Sequence, residues 1–151
     1  MNYKKILSMM SIILLLAFFG SRLMLGFIQG DKSVRELAIE KVNRVQVNYN
    51  KGDLLEIYNE GTDDFKKIML QDSFILLMER KKEMLGDFVS SELLASNVIN
   101  ANVVMLTYRS KYKKYSLIEE FKFIRTQKND DLKLGTYFID DGGKRGEVIR
   151  Q

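Results

Sequence analysis

Residues 102–139 read NVVMLTYRSKYKKYSLIEEFKFIRTQKNDDLKLGTYFI. Three runs inside this stretch, 102–109, 115–126 and 132–139, are rich in β-branched and aromatic residues, a composition that suits a pleated, half-buried surface. Their connections, Ser110 to Lys114 and Gln127 to Asp131, are polar and short enough for hairpins. A weakly extended run at 88–98 precedes them. The reading is an antiparallel meander of about four strands. An antiparallel sheet with one wet face alternates apolar and polar side chains. Here Val103, Met105 and Thr107 alternate with Val104, Leu106 and Tyr108, and Phe121 and Phe123 alternate with Ile118 and Ile124. Both parities are largely apolar, so the second face is expected to be covered as well, by a partner subunit packed on the sheet; cover by the chain's own tail, or an irregular register, is the alternative.

Upstream the period changes to that of a helix. Ser33-Val34-Arg35-Glu36 has capping-box spacing, in which a serine takes an orphan N–H and a glutamate reaches back. Val34, Leu37, Ala38, Val42 and Val45 then form a stripe, and Asn50-Lys51-Gly52-Asp53 stops it. Short helices are expected at 54–59 and, after a cap in Gly61-Thr62-Asp63-Asp64, at 65–70. A longer helix follows at 73–84, capped by Asp72 and ended by Gly86, with Phe74, Leu77 and Lys81 setting its faces. Helices before strands predict an α+β domain over residues 31–140. Residues 141–151 read as a flexible charged tail.

Residues 1–30 are different. They hold Lys4, Lys5 and Arg22 and no acid, leaving 21 basic and 20 acidic residues in the rest of the chain. A domain so close to neutral argues against nucleic acid, which needs a basic face. Ile6 to Ile28 is 23 residues long, enough to span roughly 30 Å of hydrocarbon at about 1.5 Å per residue. Arg22 falls in its last third, where an arginine snorkels to the headgroups. Cleavage after Gly20 or Ser21 would place Phe18 or Phe19 at the −3 position, a poor signal-peptidase site. The expectation is an uncleaved anchor in a bacterial cytoplasmic membrane, with the domain outside the cytoplasm. A secreted domain after signal cleavage is the alternative, and a core helix is a third reading.

The chain has no cysteine and no histidine. Disulfides, thiol nucleophiles, imidazole bases and histidine or thiolate metal sites are therefore excluded. No cofactor or metal is expected. The acid pairs Asp130-Asp131 and Asp140-Asp141 lack calcium-loop spacing and suit turns. The segment YRSKYKKY, residues 108–115, places Arg109, Lys111, Lys113 and Lys114 among three tyrosines. It is a candidate contact for an anionic surface, and equally a solvated hairpin tip.

The stretches VNYNKGDLLEIYNEGTDDFKK, MLGDF, EEFKFIRT and LKLGTYFI, in this order, resemble the NTF2-like superfamily over about residues 33–140. The resemblance is to its small secreted or membrane-tethered members. It implies a cone in which helices wrap a curved antiparallel sheet, with a pocket between them. In enzymes of that superfamily an acid and a tyrosine act inside the pocket. The residues the resemblance selects here are Tyr58 and Tyr108, with Asp63 or Asp64 as the acid. Capping explains Asp63 and Asp64 without catalysis. Fold alone does not give function. The favoured expectation is therefore a non-enzymatic interaction or scaffold module that binds itself or an envelope protein through its sheet. Its cone would be filled by side chains such as Phe65, Met69 and Phe123. The alternative is a small-molecule binder or isomerase-like protein, with an open cavity holding a buried acid and a tyrosine.

Overall fold

A computed structural model describes residues 31–99, 101–125 and 131–140, together with the backbone of residues 149–150. Helix α1 covers residues 31–51 of these. It is followed by α2 (Leu54–Asn59), α3 (Asp63–Ile68) and α4 (Gln71–Leu85). The strands are β1 (Phe88–Ile99), β2 (Val103–Tyr112), β3 (Tyr115–Ile124), β4 (Lys133–Asp140) and β5 (Ile149–Arg150). The fold is α+β, as the segregation of helices and strands predicts. The sheet runs in the order β1-β2-β3-β4, every neighbour antiparallel, and β5 pairs with the start of β3. The expected tail therefore contains a paired piece of strand.

Helix α1 buries Val34, Ala38, Val42, Val45 and Tyr49, spaced three and four apart as one helical face. Ser33 lies inside this helix, so the capping-box spacing does not mark its start. Gly52 and Gly86 both stand at positive φ, +83° and +78°, and end α1 and α4, a conformation that glycine adopts without the Cβ penalty. Thr62, not Asp63 or Asp64, caps α3, its Oγ1 accepting from the Phe65 N–H at 3.1 Å. Helix α4 starts at Gln71 and buries Phe74, Met78, Lys81 and Leu85. Leu77, expected on that face, is 40 % exposed, because Met78 holds the core position one residue on.

The β2–β3 hairpin is tighter than its sequence suggested. Ser110 and Tyr112 continue the inward parity of β2, leaving a two-residue connection at Lys113 and Lys114. That connection docks on the end of α4, with the Lys113 N–H on the Asp87 carbonyl and the Lys114 N–H on the Leu85 carbonyl, each 3.0 Å. At the other end Gly61 forms a parallel bridge with Leu134, so the α2–α3 connection joins the sheet beside β4.

The inner faces of β2 and β3 supply Val104, Leu106, Tyr108, Leu117, Phe121 and Phe123 to one core shared with α1, α2, α3 and α4. Among the described residues no helix is long and apolar enough to cross a membrane. The run Ile6 to Ile28, on which the anchor expectation rests, lies outside them.

Candidate functional site

Lys81 sits on the core stripe of α4, and Glu119 sits on the inward parity of β3 between Leu117 and Phe121. A lone charge at either place would cost several kcal/mol, so each requires a partner. The two are partners: Lys81 Nζ lies 2.6 Å from Glu119 Oε1, with side chains 5 % and 1 % exposed. Lys81 Nζ also donates to the Tyr112 hydroxyl at 2.5 Å and to the Tyr137 hydroxyl at 2.6 Å. Both tyrosines pass the interaction on. Tyr112 donates to Glu119 Oε2 at 2.9 Å, and Tyr137 donates to Glu119 Oε1. The ammonium stands over the rings of Tyr49 and Tyr112, 4.6 and 4.5 Å from their centroids, the geometry of a cation–π contact. Tyr49 comes from α1 and donates its own hydroxyl proton to the Gly86 carbonyl at 3.0 Å. One cluster thus ties α1, α4, β2, β3 and β4 together.

The electrostatics follow from this geometry. Burial pushes the Glu119 carboxyl up. The Lys81 ammonium overrides it by charge and hydrogen bond, helped by Ser110 and Tyr137, and holds the group below the ordinary carboxylate range. The Ser110 hydroxyl is fully buried and completes no hydrogen bond of its own, so its part is that of a nearby dipole. Burial lowers the Lys81 ammonium, and Glu119 opposes that shift. The phenols of Tyr49, Tyr112 and Tyr137 are all raised, first by burial and then by the Glu119 charge. All three therefore stay neutral donors. The three protons of Lys81 are placed on one carboxylate and two hydroxyls, and the carboxylate accepts three bonds. Every proton of Lys81 and the phenol protons of Tyr112 and Tyr137 are therefore placed, which is what makes these buried groups tolerable.

A second cation is buried at the opposite part of the core. Lys41 Nζ lies 2.6 Å from both Glu60 Oε2 and Asp131 Oδ2, linking α1 to the α2–α3 connection and to the start of β4. Beside it, against Ile57, Phe123 and Leu134, is a narrow, partly open cleft of about 10 Å³, the size of a single water. A second concavity is a groove of about 360 Å³ open to solvent between α1 and the first residues of β1, lined by Asn43, Val47 and Val89 among others.

The residues selected from sequence are not assembled into a site. Tyr58 is buried on α2 and donates to the Lys66 carbonyl at 3.5 Å, its ring packed with Phe65 and Phe74. Asp63 is exposed in the first turn of α3, and so is Asp64, which pairs with Lys67 at 3.0 Å. Tyr108 is buried on β2 in another aromatic group, edge-on to Phe121 at 6.2 Å. Three of the four hairpin cations have partners in the chain. Arg109 pairs with Glu92 at 3.1 Å, Lys113 pairs with Asp87 at 2.7 Å, and Lys114 donates to the Glu83 carbonyl at 2.8 Å. Lys111 is exposed on β2. Of the acid pairs, Asp131 is held by Lys41, and Asp130 and Asp141 lie outside the described residues. Among the described residues no group of three acids is placed to hold a metal ion.

Sequence reasoning set Lys81 on a helix face but selected none of Lys81, Glu119, Tyr112 and Tyr137 as site residues. The signal was present: two opposite charges, each on an otherwise apolar stripe. No family model matches the chain, and neither a curated protein nor a solved structure matches it.

Proposed function

We propose that the chain is a non-enzymatic interaction or scaffold module. It is anchored by Ile6 to Ile28 in a bacterial cytoplasmic membrane, displays its domain outside the cytoplasm, and associates with itself or an envelope protein through its sheet. We read the α+β domain as an NTF2-like cone. One observation carries the functional part. The space between helices and sheet, where a ligand would sit, is occupied by Phe65, Phe123 and the hydrogen-bonded Lys81–Glu119–tyrosine cluster. A binding pocket for a small molecule is typically some 300–1,000 Å³, against about 10 Å³ beside Lys41 between helices and sheet; the groove of about 360 Å³ between α1 and β1 lies on the outside, open to solvent. With the interior closed, the surfaces left for recognition are outside.

The test is the intact mass of the protein recovered from membranes after a carbonate wash, followed by crosslinking of its neighbours in the same membranes. Full-length chain in the pellet, crosslinked to itself or to an envelope protein, is the expected result. A shortened chain in the soluble fraction that saturably binds a small molecule inside the cone would overturn the reading.

A further inference from the structure

Alternation on β3 sends Glu119, Phe121 and Phe123 into the core and Ile118, Glu120, Lys122 and Ile124 to the opposite face. The outward series reads apolar, acid, base, apolar. It is symmetric in polarity and antisymmetric in charge about Phe121. β3 is an inner strand of the sheet, with β2 on one side and β4 on the other, so this series runs down the middle of the face. Neither charge is neutralised across the strands. Glu120 faces Thr107 and Phe138, and Lys122 faces Met105 and Thr136. Each charge thus has one apolar neighbour and one threonine across the strands, and Ile118 and Ile124 flank the pair along β3; Met105, Ile118 and Ile124 are partly exposed, and Phe138 is 48 % exposed.

We infer that this face is the contact between two copies of the chain, related by a two-fold axis that passes over the outer face of β3 at the level of Phe121, so that Glu120 of each copy meets Lys122 of the other. The inference rests on the self-association proposed above and gives it a register. A two-fold lying in the interface, perpendicular to the strands, lays β3 of one copy antiparallel on β3 of the next. It then brings acid onto base twice and apolar ends onto apolar ends. The strand rises about 3.4 Å per residue, so Glu120 and Lys122 each lie close to the axis. Aligned sheets cross at roughly 30°, and side chains this near the axis are displaced little by that angle. The apolar residues supply the area removed from water. The charge pairs fix the register, because any sliding that puts Glu120 on Glu120, or Lys122 on Lys122, is repulsive.

The test is a charge swap on the full chain in nonionic detergent. Glu120→Lys and Lys122→Glu are made separately, and oligomers are counted by native mass spectrometry, with one variant labelled by a heavy isotope. Each single variant brings like charges together twice, and its self-association falls by roughly tenfold or more. Mixed together, the two variants restore both attractions, and the mixed dimer exceeds the half expected of random pairing. The double variant E120K/K122E dimerises like the wild type. Both side chains face away from the core, and unchanged thermal melts of the two single variants verify that the fold is intact. A wild-type chain that stays monomeric at every concentration overturns this inference and the self-association reading together. A wild-type dimer indifferent to both swaps, or variants that mix at random, overturns the register alone.

Discussion

Lys81 Nζ on α4 and Glu119 Oε1 on β3 stand 2.6 Å apart in the middle of the core, a helix and a strand joined by an ion pair with almost no solvent access. Residues 38 apart in sequence are brought together there, and two tyrosine hydroxyls complete the bonding of both. This relationship accounts for why the interior of the domain is closed, and it makes definite predictions.

Removing one partner strands the other. Lys81→Met leaves a buried carboxylate with only phenols to hold it, and costs about 3–5 kcal/mol of stability. Lys81→Met combined with Glu119→Leu removes both charges and recovers most of that loss. Urea denaturation of the two single variants and the double variant measures the coupling. Losses that simply add would show that the pair does not act as a unit.

Alkaline pH acts on the tyrosines. Tyr49, Tyr112 and Tyr137 have their phenols raised in the folded chain by burial and by Glu119, from an ordinary value of 10.0. Above that value the unfolded chain gives up protons that the folded chain keeps. Their contribution to stability is therefore complete below pH 10 and declines as pH rises beyond it. Lys81 acts in the opposite sense: its folded value lies below the ordinary 10.5, so between the two values stability gains as pH rises. Three phenols outweigh one ammonium, and the net result is alkaline unfolding. Phenolate absorbance recorded with circular dichroism should show a late group of tyrosines ionising only as the helices melt. Complete phenol titration with the helices intact would contradict the burial of these hydroxyls.

Gly61 is tightly surrounded. A Cβ there would stand 2.5 Å from Phe65 Cδ1 and 3.0 Å from the Tyr58 carbonyl oxygen. The Phe65 ring is wedged against Tyr58 and Phe74 and has little room to turn. The backbone on either side is fixed to Leu134, by the Leu134 N–H on Glu60 and the Thr62 N–H on the Leu134 carbonyl, each 2.9 Å. Gly61→Ala is expected to cost about 1–3 kcal/mol through overpacking. Gly52→Ala meets nothing within 4 Å and carries only the strain of its φ of +83°, about 1–2 kcal/mol. Urea midpoints of the two variants read the two effects, and an unshifted midpoint for Gly61→Ala would show that Phe65 gives way freely.

Much of the fold is legible in the sequence, because local chemistry fixes it. LLEIYN forms the expected short helix at Leu54–Asn59, and Gly52 and Gly86 end helices where only glycine is unstrained. The three runs of residues 102–139 become β2, β3 and β4. Helix starts are less legible. Ser33 has the spacing of a cap yet lies within α1, and Leu70 precedes α4 with no side-chain cap at all. The site is less legible still. Lys81 could be read as the edge of a helical face, and Glu119 as one of two adjacent acids on a strand. Only the tertiary fold shows that each charge is buried and that each is the other's answer. Tyr58, Asp63 and Tyr108 came from a family resemblance, and the fold distributes them between two aromatic groups and an exposed helix start.

The central claim is that the domain works through its outward sheet face while its interior stays closed. Sedimentation equilibrium of the full chain in nonionic detergent, across a wide range of concentration, tests it most directly, with Lys122→Glu run alongside. The account predicts a reversible rise from the 17.6 kDa of one chain to twice that mass, and a loss of that rise in the variant. A mass that stays at one chain throughout, or a dimer that Lys122→Glu leaves unchanged, would contradict it.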